Sequence, residues 1–177
     1  MTTIRPFQSD DHTRLREITV EAFDGVSIDQ NGERMFGLIG GRDWRWRKGR
    51  AFDEDVERDP AGIFVAVNTD DDGREEILGF ISTWINREAG VGHIPNLALT
   101  ASARGQGLGR RLIQYALDHF RGHGMACARI ETLDQNAIGQ KLYPSLGFHE
   151  VARQIHYMMP LESELIDLSP KSATIVS

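Results

Sequence analysis

The chain has 177 residues, with 20 Lys and Arg against 26 Asp and Glu and a formal net charge of −6 at pH 7. That length suits one domain with a sizeable core, and the acidic balance argues against general nucleic-acid binding while favouring cationic partners such as protonated amines. The apolar runs fall far short of a membrane span. No basic start followed by an apolar stretch marks a secretory signal, and the one cysteine, Cys127, has no partner for an internal disulfide, which fits a reducing cytoplasm.

In chain order, residues 4–7 read as a short strand, placed at a sheet edge by Pro6. Asp10 or Asp11 is expected to cap a helix to about Phe23, with Leu15, Ile18, Val20 and Ala22 in partial helical register. Residues 24–60 carry weaker signals: Gly40-Gly41, a basic aromatic patch over 42–50, and an acidic helical stretch over 53–59. Arg42, Arg45, Arg47, Lys48 and Arg50 interleave with Trp44 and Trp46. That pattern suits either an anion or nucleic-acid surface or an amphipathic helix with packed tryptophans and solvated charges, and the acidic chain favours the second. Pro60 and Gly62 punctuate the next boundary.

Residues 63–67 form a β-branched strand, 70–73 a turn, and 77–85 the strand that pairs back. The aspartates at 70–72 lack the ligand spacing of a calcium loop, and no metal is expected. An apolar strand over 94–99 runs into a glycine loop and then a helix over 108–121. That helix carries Leu108, Leu112, Ile113, Ala116, Leu117 and Phe120 on one face. A strand over 128–133, a short helix over 136–143, a last strand over 151–159 and a loose tail over 161–177 complete the chain. Cys127 opens a strand and is expected to be buried and inert. The order implies an α+β fold with a mixed sheet.

The loop Arg104-Gly105-Gln106-Gly107-Leu108-Gly109-Arg110-Arg111 carries the most chemistry. Glycines at a strand-to-helix turn leave several backbone N–H groups free at the positive end of the helix, which is an anion site. A nucleotide-triphosphatase loop needs Lys-Ser/Thr after its last glycine, and the dinucleotide fingerprint needs a third glycine where Arg110 stands. Arg-x-x-Gly-x-Gly fits, at Arg104, Gly107 and Gly109. It resembles the pyrophosphate motif of the GCN5-related N-acetyltransferases. The later run of Asn136, Leu142-Tyr143 and Leu146-Gly147-Phe148 resembles the second half of the same core.

The resemblance implies a GNAT-like fold: a mixed central sheet flanked by helices on both faces, spanning 1–160. Residues 1–60 would supply acceptor-side helices and 62–160 the acetyl-coenzyme A core. It implies a cytoplasmic acetyltransferase that moves an acetyl group from acetyl-coenzyme A to a primary amine by direct attack in a ternary complex. The acceptor is a small molecule or peptide, with no nucleic acid or membrane involved, and a homodimer stays open. The alternative is a non-catalytic acyl-coenzyme A sensor on the same fold.

Residue by residue, the resemblance gives the main chain of Leu97 and Leu99 to the pantetheine arm. It gives Arg104, Gly105, Gln106, Gly107, Leu108, Gly109 and Arg110 to the pyrophosphate. Arg104, Arg110 and Arg111 could pair with phosphates. Asn136 either bonds the pantetheine arm or caps its helix. Tyr143 protonates the departing thiolate, although Pro144 departs from the family pattern and is expected to end or kink the helix at Tyr143. His93 stands where many relatives carry a glutamate and is the candidate base, acting directly or through a water.

Overall fold

The computed structural model describes residues 1–161. Strand β1 (Thr2–Pro6) leads to helices α1 (His12–Ala22), α2 (Ile28–Phe36) and α3 (Trp44–Arg58). Strands β2 (Ile63–Thr69), β3 (Glu75–Asn86) and β4 (Val91–Leu99) follow, then α4 (Leu108–Gly122), β5 (Cys127–Ile130) and α5 (Ala137–Leu142). The sheet order is β1-β2-β3-β4-β5. The first four strands are antiparallel and β5 lies parallel to β4, so the sheet is mixed as expected. Among the described residues no helix is long and apolar enough to cross a membrane.

Each face of the sheet buries its own apolar layer. On one side, Leu112, Ile113, Ala116 and Phe120 of α4 pack on Phe64, Ala66, Ile81 and Ile94, as the helical periodicity predicts. On the other, Leu15 and Ile18 of α1 and Phe52 of α3 pack on Ile63, Val65, Val67, Phe80 and Ala98. Phe52 meets Phe80 edge-on, with centroids 5.0 Å apart. Burying each such side chain contributes roughly 1.5–3 kcal/mol, and both layers are needed because β2 and β3 are apolar on both faces.

Local chemistry sets the helix starts. Asp11 lies at the head of α1, yet its carboxylate does not cap that helix. It accepts from Arg5 through both oxygens, at 2.8 Å each, and from the Gln8 amide at 2.8 Å. Burial opposes ionisation of Asp11, but Arg5 and the Gln8 amide outweigh it and hold the carboxyl below its ordinary value. Ser27 caps α2 and Asp43 caps α3. The turn at 70–73 is held by Asp70, whose side chain accepts from the amides of Asp72 and Arg74.

Four expectations need correction. Trp44 is buried, but Trp46 lies 42% exposed under the Arg42 guanidinium, so only one tryptophan of the patch packs inward. Residues 151–159 form no strand: Val151 is 95% and Tyr157 88% exposed, because strand-favouring residues make a sheet only where a ladder partner is present. That segment runs past α2, where Met158 lies against Gly32. Cys127 is exposed rather than buried, because β5 is the outer strand. Strand β5 stops at Ile130 rather than 133. The tail expected over 161–177 lies, from 162 on, outside the described residues.

Leu112→Ala should destabilise the protein by about 2–5 kcal/mol, through lost burial plus a cavity. Gln114→Ala on the exposed side of the same helix should cost about 0.5 kcal/mol or less. Urea unfolding of the two variants checks both.

Candidate functional site

Strands β4 and β5 pair only from Val91↔Cys127 to Ile94↔Ile130. Beyond that point β4 runs on through Pro95 to Leu99, while the chain beyond β5 turns away toward α5. The result is a wedge-shaped gap with β4 as one wall. The Thr100 amide donates to the Leu78 carbonyl at 2.9 Å on the β3 side. Main-chain groups alternate sides along an antiparallel strand, so those of Leu97 and Leu99 point into the gap.

The glycine loop closes the gap at one end. Gly105 and Gly107 have φ of 75° and 78°, a left-handed backbone that glycine adopts without strain. Through this turn, the six successive N–H groups from Gly105 to Arg110 have no acceptor among the described residues. That exceeds the four orphan donors of an ordinary helix start. A Cβ placed on Gly109 would touch Leu97 at 3.8 Å and Leu99 and Leu142 at 3.7 Å, so loop, β4 edge and α5 converge there.

The loop's side chains take different places. Arg104 reaches back toward the Leu99 carbonyl, Nε to O 3.4 Å. Gln106 donates to Ser102 O at 2.7 Å. Arg110 grips Ser145 through its carbonyl at 3.2 Å and its hydroxyl at 2.8 Å, which ties α4 to the turn beyond α5. Arg111 bonds the Thr2 carbonyl near β1 and stands outside the loop.

Asn136 caps α5: its Oδ1 accepts from the Gly139 amide at 3.1 Å and its Nδ2 donates to Thr132 Oγ1 at 2.9 Å. Helix α5 ends at Leu142, one residue before the end expected at Tyr143, and Tyr143 keeps helical dihedrals of −65° and −47° ahead of Pro144. The Tyr143 ring packs edge-on to Phe148 on the α4 side of the sheet. Burial pushes its phenol up to about 12, so it carries its proton at neutral pH.

His93 lies in a separate cleft of about 190 Å³ where β4 and β5 begin to part. Its ring stacks flat on Trp84, with centroids 3.8 Å apart, and Arg58 of α3 covers the same indole. Arg129 and Glu131 line the opposite wall. Burial first, then the Arg129 cation, holds the imidazole below its ordinary 6.5.

Sequence reasoning missed a polar network beneath the β4 edge. The register of β3 and β4 shifts between Ser82 and Trp84, and the Asn96 amide there donates to Ser82 Oγ at 3.1 Å. Asp55 of α3 accepts from Ser82 Oγ and from Asn96 Nδ2, each at 2.6 Å. Lys48 of α3 donates to Asn96 Oδ1 at 2.7 Å, and burial pushes its ammonium down to about 8 against the pull of Asp55 and Asp29. Ser82 and Asn96 were the available signal, as buried polar residues in strands otherwise reading apolar.

The sequence model of the Acetyltransferase (GNAT) family matches residues 14–148. The mycothiol acetyltransferase of Thermomonospora curvata is 32% identical over 176 residues, covering 88% of this chain and 53% of that protein. That of Rhodococcus opacus is 32% identical over 103 residues, covering 56% of this chain and 33% of that protein. The chain thus spans about half the length, or less, of these curated relatives. Among solved structures, the ribosomal-protein-S18-alanine N-acetyltransferase of Escherichia coli matches with a TM-score of 0.59 and 22% identity, over 86% of this chain and 80% of that one. The PaiA N-acetyltransferase of Thermoplasma acidophilum, solved in complex with coenzyme A, matches with a TM-score of 0.61 and 18% identity, over 82% and 87%. The parted strands, the glycine loop at the head of α4 and the family match over 14–148 agree: the chain belongs to the GNAT acetyltransferase family.

Proposed function

We propose that this chain transfers an acetyl group from acetyl-coenzyme A to a primary amine by direct attack in a ternary complex. The observation that carries the reading is the row of six unpartnered N–H groups from Gly105 to Arg110, set against the free edge of β4. Such a row suits a pyrophosphate, whose charges need several donors at once. The free edge suits an extended amide-bearing arm, which can pair with it as an added strand.

The chemistry then follows from the groups available. The amine nitrogen attacks the thioester carbonyl, and negative charge builds on its oxygen. The Leu97 N–H, pointing into the gap, is the donor proposed for that oxyanion. Collapse breaks the C–S bond and the Tyr143 phenol gives its proton to the departing thiolate. A phenol pushed up to about 12 is protonated at neutral pH and so has a proton available. His93 is proposed to accept the proton lost by the amine. Its lowered value keeps it neutral, and so able to accept, at pH 7. Asn136 is proposed to act on the pantetheine arm through its cap, which fixes where α5 begins.

Release of free thiol from acetyl-coenzyme A across a panel of amines tests the reading. Acceptor-dependent release is the expected outcome, and binding without release by any amine would favour the sensor.

Gly107→Glu places a side chain at φ 78° and a negative charge among the loop amides. Calorimetry on the folded variant should show acetyl-coenzyme A affinity reduced about 10- to 100-fold. Unchanged affinity would remove the loop from the cosubstrate site.

Tyr143→Phe should lower kcat by about 10²–10⁴-fold while the Kd for acetyl-coenzyme A changes little, because the packing ring remains. Equal losses in both would make the tyrosine structural.

If His93 is the base, the rate falls as pH drops through a value below 6.5, where the imidazole charges. Arg129→Ala removes a cation and should move that limb upward in pH, and His93→Gln should abolish it. A profile unchanged in both variants would assign the base elsewhere.

A further inference from the structure

Of the five cations on α3, Arg47 and Arg50 enter ion pairs among the described residues, while Arg45 and Arg58 lie over the Trp44 and Trp84 rings. Arg47 lies 3.4 Å from Asp29, and Arg50 lies 2.8 Å from Glu57. Lys48 between them turns inward and enters no ion pair among the described residues. Its Nζ has Asn96 Oδ1 at 2.7 Å and the face of Phe23 at 3.6 Å from the ring centre. Asp55 does not neutralise it directly: both short bonds to its Oδ2 come from neutral donors, Ser82 and Asn96. An ammonium has three donors. Asn96 takes one, and the Phe23 ring offers only a cation–π contact. Asp55 and Asp29 offset its charge only from a distance, so two of its N–H donors remain with no carboxylate oxygen in contact among the described residues.

Its position says what could take those donors. Asn96 directly precedes Leu97, whose main chain faces the gap between β4 and β5. Gln135, beyond β5, donates to the Gly25 carbonyl at 2.7 Å and accepts from Asn31 Nδ2 at 2.9 Å. That clasp ties the α1–α2 segment to the far wall of the gap, and Phe23, which Lys48 touches, belongs to the same segment. The ammonium therefore stands on the α3 face of β4, next to the gap.

We infer that Lys48 binds a carboxylate on the acceptor, so that the amine acetylated here belongs to a molecule of the amino acid or short-peptide class with a free carboxylate. A single compact ammonium matches one carboxylate at close range. Asn96 holds the ammonium, and Asp55, through Ser82 and Asn96, holds Asn96. The inference rests on the acetyl-transfer reading, since it names the acceptor of that reaction.

Dipeptides and their C-terminal carboxamides, whose amines titrate alike, form the test pairs. Two readouts are needed: equilibrium binding by calorimetry in the presence of coenzyme A, and thiol release from acetyl-coenzyme A. The intact protein should bind the carboxylate member about 10- to 100-fold more tightly than its amide. Lys48→Met should erase that preference with acetyl-coenzyme A affinity retained, and Lys48→Arg should keep part of it. Equal binding of acid and amide by the wild-type protein overturns the inference without any variant being needed. A preference that survives in Lys48→Met overturns it too. A Lys48-dependent binding preference with no thiol release would sustain the carboxylate site and sink acetyl transfer, so the two failures are distinct.

Discussion

The parting of β4 from β5 after Ile94 and Ile130 is the constraint on which the rest of the site depends. Backbone N–H and C=O groups need partners, and a sheet whose last two strands part leaves a row of them facing a gap. Pro95 removes one donor at the point of parting. From there the Leu97 main chain and the Leu99 amide have no strand partner, and the loop ahead of α4 adds six more amides without an acceptor among the described residues. Free donors on that scale are stable in a folded protein only where solvent or a ligand can reach them. The same opening that costs ladder bonds thus makes a slot for an extended, anionic molecule.

Holding the slot open requires rigidity on both sides. On the α4 side, Arg110 ties the helix to Ser145, and Leu142 packs near Gly109. On the α3 side, Asp55 bonds both Ser82 and Asn96, where the register of β3 against β4 slips. A buried carboxylate with two short bonds is a strong local restraint, because removing it strands two donors at about 1–3 kcal/mol each. The slip changes which groups of β4 face the gap, so Asp55 bears on the direction of the Leu97 amide without touching it.

Legibility in the sequence follows from how local each cause is. The α4 face repeats at helical spacing and the loop glycines adopt left-handed φ, so both are local properties and both were readable. Pro144 also acted locally, with α5 ending one residue before the expected Tyr143. Helix α2 was not readable, because it is short, carries only Ile28, Met35 and Phe36 as large apolar residues, and is held by Ser27, by the Arg47 ion pairs and by Gln135 from another segment. Residues 151–159 carry Val151, Ile155 and Tyr157, residues that favour strands, but such a preference cannot reveal whether a partner edge is within reach. Lys48 looked like one more charge in a basic patch. Its inward turn is visible only once Asn96 and Phe23 are placed around it.

The two proton-handling candidates belong to different layers, which bears on how a direct transfer could run. Tyr143 packs with the α4-side cluster, near Leu142 and Phe148. His93 stacks on Trp84, which Arg58 of α3 covers. An amine entering from the α3 side would lose its proton on that side, while the thiolate would regain one on the α4 side. The two protons need not share a carrier. The electrostatics follow the same division, since an imidazole held low by burial and Arg129 stays unprotonated at neutral pH and a phenol held high by burial stays protonated. With the thioester lying along β4 as proposed, the two proton transfers would run on opposite faces of it.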